Sequence, residues 1–309
     1  MNDSTNTTKL RVVASYTTIP SRYEVLKTSI LTLKSQTVPL DAIYVSIPKL
    51  SRRLNKPYPP IPPDLASLCT IVYVDVDYGP ITKILGALLS ESDRETIIIT
   101  CDDDVHFKKT HVEILLKHHK NHPDVAICGT GALLSRGILF LCIVSTVEPF
   151  QNLRGFSGFD VDKNGRNVDL IFGVAGCLYL RGFFPTNELL HDTIFKYSLA
   201  DDAIFHNDDI LLSGYLSKCG IKRKIFPDIP TITHGNAEDG LSSDFFKMIT
   251  RMNVAISKVK ALGFYTSMED YYVDESVTVR TIFVFIIILI LLILSFFLYR
   301  ILFFSNIFT

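Results

Sequence analysis

Between Arg280 and Arg300 the chain carries nineteen residues without a charge, TIFVFIIILILLILSFFLY, and Ile301 to Phe304 prolong the apolar stretch. About 20 apolar residues cross the hydrocarbon core of a bilayer as a helix. A surface helix of a globular domain keeps a polar face, and this segment has none. The expectation is one transmembrane helix over 280–304, led by a stalk at 263–279 and followed by a short tail at 305–309. The run also resolves a composition that fits neither simple class. Of 309 residues 48% are hydrophobic and 20% charged, and mean hydropathy is +0.27. That is too apolar for an ordinary soluble domain and too polar for a multi-span protein. The polar tail over 1–9 has no apolar run of the kind a signal peptide needs. Anchoring is therefore expected to be single-pass and C-terminal, with a lipid bilayer as partner. Lys258, Lys260 and Arg280 precede the run and only Arg300 stands near its far end. The positive-inside rule then puts the main domain in the cytosol.

Residues 10–262 make up that domain. Short β-rich apolar runs alternate with helical patterns. Strands are expected at 10–16, 42–47, 70–74, 96–100 and 125–129, and helices at 22–35, 81–89, 110–121, 209–218 and 244–262. The segment 48–63 holds six of the 14 prolines and reads as an irregular loop. Alternation of this kind builds an α/β domain, an open, mainly parallel sheet with flanking helices. The run TIIIT at 96–100 is apolar throughout, as a central strand covered on both faces should be. Formal charge is 31 Lys+Arg against 32 Asp+Glu, −1 net, so no basic field draws the chain to nucleic acid. The six cysteines form no C-x-x-C pair and mostly lie in apolar runs, which reads as free, buried thiols.

Asp102, Asp103 and Asp104 directly follow the TIIIT strand. Ligands of open α/β sheets bind at the carboxyl ends of strands. Three adjacent carboxylates repel one another, and a hard cation such as Mg²⁺ or Mn²⁺ relieves the repulsion. In an extended segment Asp102 and Asp104 share one side, which suits them to a nucleotide and its metal-bridged diphosphate. A solvated acidic turn is the plainer alternative.

Several further segments stand in order around this cluster. The first strand runs into Ser15-Tyr16-Thr17-Thr18-Ile19-Pro20-Ser21-Arg22. Asp75-Val76-Asp77-Tyr78-Gly79-Pro80-Ile81-Thr82-Lys83 comes next. After the acidic cluster come Gly173-Val174-Ala175-Gly176-Cys177-Leu178-Tyr179-Leu180-Arg181, then Asn207-Asp208-Asp209-Ile210-Leu211-Leu212, then Thr233-His234-Gly235. Over roughly residues 10–240 the chain resembles nucleotide-sugar-dependent glycosyltransferases of the GT-A fold, which carry a D-x-D motif. The resemblance implies a nucleotide-binding loop at Thr18, Pro20 and Arg22, a lysine near the donor at Lys83, and the D-x-D position at 102–104. It implies an acceptor-flanking segment at Gly173, Ala175 and Gly176. It also implies a catalytic acid pair at Asp208 and Asp209, Asp-Asp here where the family has Glu-Asp, and a further metal ligand at His234 beside Asp102 and Asp104.

Sugar transfer sets the roles. The departing nucleoside diphosphate gains negative charge, which a Mn²⁺ or Mg²⁺ ion on Asp104 would offset and Lys83 and Arg22 would assist. An acceptor hydroxyl needs a general base in an inverting enzyme. Asp209 is the first candidate and Asp208 the second. Both also suit the start of the helix that follows, and a helix N-terminus steadies a carboxylate. Asp102 and Asp103 are expected at the donor, Asp77 at its base or ribose, and Tyr78 stacked on its base. His118 and His119 are placed on a solvent-facing helix without a role. The expected function is transfer of a sugar from a nucleotide-sugar donor to a glycan, protein or lipid-linked acceptor. The alternatives are a non-catalytic scaffold, a sugar nucleotidyltransferase and a metal-dependent phosphohydrolase.

Overall fold

The computed structural model describes residues 10–132, 134, 161, 163–229, 233–234 and 245–266. The expected transmembrane segment at 280–304, the polar tail at 1–9, Cys142 and most of the stalk lie outside the described residues. Among the described residues no helix is long and apolar enough to cross a membrane.

The strands are β1 (Val12–Thr17), β2 (Ala42–Pro48), β3 (Leu50–Ser51), β4 (Lys56–Pro57), β5 (Thr70–Val74), β6 (Ile97–Thr100) and β7 (Val105–His106). They continue with β8 (Val125–Cys128), β9 (Gly131–Ala132), β10 (Arg166–Val168), β11 (Leu170–Ile171), β12 (Cys177–Leu180), β13 (Lys222–Ile225) and β14 (Thr233–His234). The helices used below are α1 (Tyr23–Lys34), α2 (Pro63–Ala66), α3 (Thr82–Ser90), α4 (His111–Asn121), α5 (Asp208–Lys218) and α6 (Phe245–Ala261).

Eight strands form one sheet in the order β10-β13-β8-β12-β6-β1-β2-β5. The pairs β2–β5, β1–β2, β1–β6 and β8–β13 are parallel. β12 runs antiparallel between β6 and β8, and β10 runs antiparallel along β13. The architecture is α/β with a mostly parallel mixed sheet, as the alternating pattern leads one to expect. The antiparallel insertion of β12 is the departure, and it has a functional consequence below.

Both faces of the sheet are covered, which explains the continuous apolar strand. Ile97 and Ile99 point to one layer with Ala14, Tyr16, Leu26 and Ile30. Ile98 points to the other with Val13, Ile84 and Leu88. Each apolar side chain withdrawn from water contributes about 1.5–3 kcal/mol.

Three expectations need correction. The 48–63 loop contains the β3–β4 hairpin, and helix α2 begins at Pro63, a residue suited to a first helical turn. His118 and His119 are buried rather than solvent-facing. His118 stacks on Phe226 at 3.7 Å between ring centroids and meets Asp228 Oδ1 at 2.5 Å, so its face of α4 lies against the segment after β13. The domain also extends past 262. Phe264 and Tyr265 are buried in the core, and the Tyr265 hydroxyl donates to the Ile210 carbonyl at 2.7 Å.

Candidate active site

From β1 the chain moves outward to β2 and β5, then returns to the opposite side of β1 as β6. The strand order therefore reverses between β1 and β6, whose register sets Ser15 beside Thr100. Such a reversal opens a crevice at the carboxyl ends of the two strands. The loop after β1 supplies Thr18, Pro20 and Arg22, and the loop after β6 supplies Asp102, Asp103 and Asp104. Hydrogen bonds join the two loops. Thr18 Oγ1 donates to Asp103 Oδ2 at 2.6 Å, and Arg22 Nη1 donates to Asp103 Oδ1 at 2.9 Å and to Asp104 Oδ2 at 3.4 Å. The Tyr58 hydroxyl, from just after β4, donates to the Thr18 carbonyl at 2.8 Å. Pro20 stands in the turn that Arg22 N–H closes on the Ile19 carbonyl at 3.0 Å.

Lys83 enters from the first turn of α3. Ser15 of β1 fixes it by donating to its carbonyl at 2.5 Å. The ammonium is buried between Asp102 Oδ1, which it binds, and Asp208 Oδ2 at 2.9 Å. Asp208 and Asp209 open α5. Because β12 is antiparallel, its first residue Cys177 faces Thr100, and the preceding segment 173–176 arrives at the same crevice. There Gly173 N–H donates to Asp209 Oδ1 at 2.9 Å. A β carbon on Gly173 would stand 2.9 Å from that oxygen and 3.4 Å from Lys83 Nζ, so only glycine lets both groups come this close.

The electrostatics follow from this crowding. Burial disfavours charge on Lys83, but Asp102, Asp208 and Asp209 outweigh it and hold the ammonium well above its ordinary pKa. Burial, then the charge of Asp208, pushes the Asp209 carboxyl well above the usual carboxylate range, and Lys83 only partly opposes them. Asp209 is half-buried by surface, with Gly173, Lys83 and Asp208 near its carboxyl. Its Oδ2 has no partner among the described residues. Burial pushes Asp103 up to about 6 against the pull of Arg22 and Thr18.

The acidic cluster itself differs from the extended segment expected. A turn at 103–104 breaks the alternation. Asp102 faces Lys83, Asp103 is buried against Thr18 and Arg22, and Asp104 meets Arg22. Among the described residues no three His, Cys, Asp or Glu side chains converge as a metal-ion group. His234 is brought near by its backbone, since β14 pairs with β7 and sets His234 opposite Val105, one residue past Asp104. Asp77 spends its oxygens on the backbone N–H groups of Gly79 and Arg52, both at 2.8 Å. Tyr78, expected to stack on a donor base, is core instead. Its ring packs on Phe195 at 5.1 Å, and its hydroxyl meets His191 Nδ1 at 3.0 Å. Ala175 lies in the 3₁₀ turn 173–175, and Gly176 leaves that turn at φ +74°.

Sequence reasoning passed over Ser15 and placed Gly173 only in the acceptor-flanking segment. Ser15 has no signal beyond standing in a strand. The role of Gly173 as the cradle of Asp209 depends on a partner 36 residues away. A comparison with protein-family models finds no match for the chain, and a comparison with curated proteins finds none.

Proposed function

We propose that the chain is a metal-dependent glycosyltransferase of the GT-A kind. It moves a sugar from a nucleotide-sugar donor to a hydroxyl of a glycan, protein or lipid-linked acceptor, with inversion. The observation that carries this reading is the state of Asp209. One oxygen is held by Gly173 N–H, the other has no hydrogen-bond partner among the described residues, and the carboxyl is pushed above its usual range beside the crevice where a diphosphate would lie. A general base works best when its proton affinity approaches the working pH. The acceptor hydroxyl gives its proton to Asp209 Oδ2 as its oxygen bonds to the sugar carbon, and the bond from that carbon to the diphosphate breaks. Lys83 ties the donor-side Asp102 to the base-bearing start of α5 and adds positive charge beside the leaving group.

A divalent cation fits the acids that remain. Asp102 and Asp104 keep 30% and 22% of their side-chain surface exposed. Mg²⁺ is commonly held by one or two carboxylates together with substrate phosphates. Asp102 and Asp104, with His234 as a third ligand, would hold Mn²⁺ or Mg²⁺, which neutralises charge on the departing diphosphate. The apolar run at 280–304 anchors the domain to a bilayer on its cytosolic side, near a glycan or lipid-linked acceptor.

Calorimetry on the full chain in detergent tests the reading. UDP or GDP is expected to bind with Mn²⁺ or Mg²⁺ and to bind weakly in EDTA, and Asp104→Ala is expected to abolish the cation dependence. No binding of UDP, GDP or their sugar conjugates with either cation overturns it.

A further inference from the structure

The three consecutive aspartates are not equivalent. Asp102 and Asp104 keep part of their surface in solvent, whereas Asp103 is 7% exposed and its two oxygens are both engaged inside the protein. Oδ2 accepts from Thr18 of the β1 loop and Oδ1 from Arg22 at the start of α1, so this side chain staples the two walls of the crevice together. Arg22 is as deeply set, at 8% exposed. Its Nη1 serves Asp103 and Asp104. Its Nε and Nη2 are buried and, among the described residues, have no hydrogen-bond partner. A buried cationic donor without an acceptor is costly to a fold. The guanidinium is a rigid planar fork, so two carboxylates that fix Nη1 also fix the direction of the remaining edge. A phosphate group matches such an edge.

We infer that Asp103 is a positioning residue, holding Arg22 so that its Nε–Nη2 edge receives the diphosphate of a nucleotide ligand while Asp103 itself contacts neither ligand nor cation. The inference rests on the transferase reading only for the ligand class, a nucleoside diphosphate. It divides the acidic cluster by function: Asp102 and Asp104 face the ligand side, and Asp103 acts through Arg22. The charge of Asp103 is met within the protein by Arg22 and Thr18, so an incoming diphosphate faces the guanidinium.

The test compares nucleoside diphosphates with their nucleosides on the full chain, using UDP with uridine and GDP with guanosine. Asp103→Asn preserves shape and one acceptor for Arg22 but removes the charge that locks it. It is expected to weaken diphosphate binding by roughly tenfold or more, the loss of a charge-assisted hydrogen bond. Nucleoside affinity is expected to stay within about twofold, and Mn²⁺ dependence to persist. Arg22→Met is expected to lose a similar factor, and the double variant to lose little more, since the two act as one unit. Arg22→Lys, which keeps charge without the fork, supplies the same comparison should Asp103→Asn fail to fold. Four results overturn the inference: unchanged diphosphate affinity in Asp103→Asn, or in Arg22→Lys where that substitute is used; equal losses of nucleoside and diphosphate; loss of cation dependence; or additive effects of the two changes. A wild-type chain that binds neither diphosphate overturns the transferase reading and this inference with it, whereas binding that Asp103→Asn leaves intact overturns the inference alone.

Discussion

Replacing Gly173 with alanine separates the catalytic reading from a structural one. The new β carbon would sit 2.9 Å from Asp209 Oδ1 and 3.4 Å from Lys83 Nζ. Ordinary contact begins near 3.4 Å, so the carboxylate must retreat by about 0.5 Å while the Lys83 contact is barely tolerable. The obstacle is the end of a side chain, not backbone, and the fold can give there. Overpacking of this kind costs about 1–3 kcal/mol. For a domain of this size each kcal/mol lowers Tm by about 2–4 °C, so a fall of roughly 2–12 °C is expected. Catalysis is less forgiving, because a misplacement of about 1 Å costs about 100-fold. Half that displacement of the base, with its Gly173 hydrogen bond distorted, is expected to lower kcat by roughly tenfold or more with KM for the donor nearly constant. The assay is sugar transfer from the donor that calorimetry identifies, followed with thermal unfolding of the same preparation. A variant with kcat within about twofold of wild type would refute the assignment of Asp209 as a base held by Gly173.

Asp209→Asn is expected to abolish transfer yet stabilise the protein at neutral pH. The folded-state pKa of Asp209 is raised by burial and Asp208, so its contribution is full in acid and is lost as pH rises through that raised value. Asparagine does not ionise, so the Tm advantage of the variant should widen from pH 4 to pH 8, and a variant less stable than wild type at neutral pH contradicts the electrostatics. Lys83→Met leaves the buried carboxylate of Asp208 without its cation and is expected to cost about 3–5 kcal/mol, read by denaturant unfolding. A loss under about 1 kcal/mol would mean that Lys83 is not the counter-charge of the site. Gly79→Ala tests the approach to α3. Gly79 has φ +77°, and a β carbon there would meet the Phe205 carbonyl oxygen at 2.3 Å. Strain and overlap together should cost about 3 kcal/mol or more, measurable as lost stability and misplacement of Lys83; a variant as stable as wild type would refute the turn geometry.

What was legible in the sequence had a local physical cause. The β5 run TIVYV and the helix DDILLSGYLSK carry their own periodicity or start signals, and each falls within a residue of its expected bounds. The acids after the apolar strand were placed correctly at a carboxyl end because burial on both faces dictates what a run such as TIIIT can be. What stayed hidden depends on partners far along the chain. Nothing in CLYL marks its direction, yet its antiparallel insertion is what carries Gly173 to Asp209. Tyr78 follows a half-exposed edge strand and looked available, but Phe195 and His191, more than a hundred residues on, enclose it. The same reasoning explains the acidic cluster. Composition alone makes Asp102, Asp103 and Asp104 interchangeable, and extended alternation pairs the outer two. A turn at 103–104 instead sends the middle carboxylate inward to Thr18 and Arg22. Like-charge repulsion among the three is then relieved chiefly by protein cations, Lys83 on one side and Arg22 on the other. An added divalent cation need offset only the charge that a diphosphate brings with it, so cation dependence should be strong for diphosphates and weak for nucleosides.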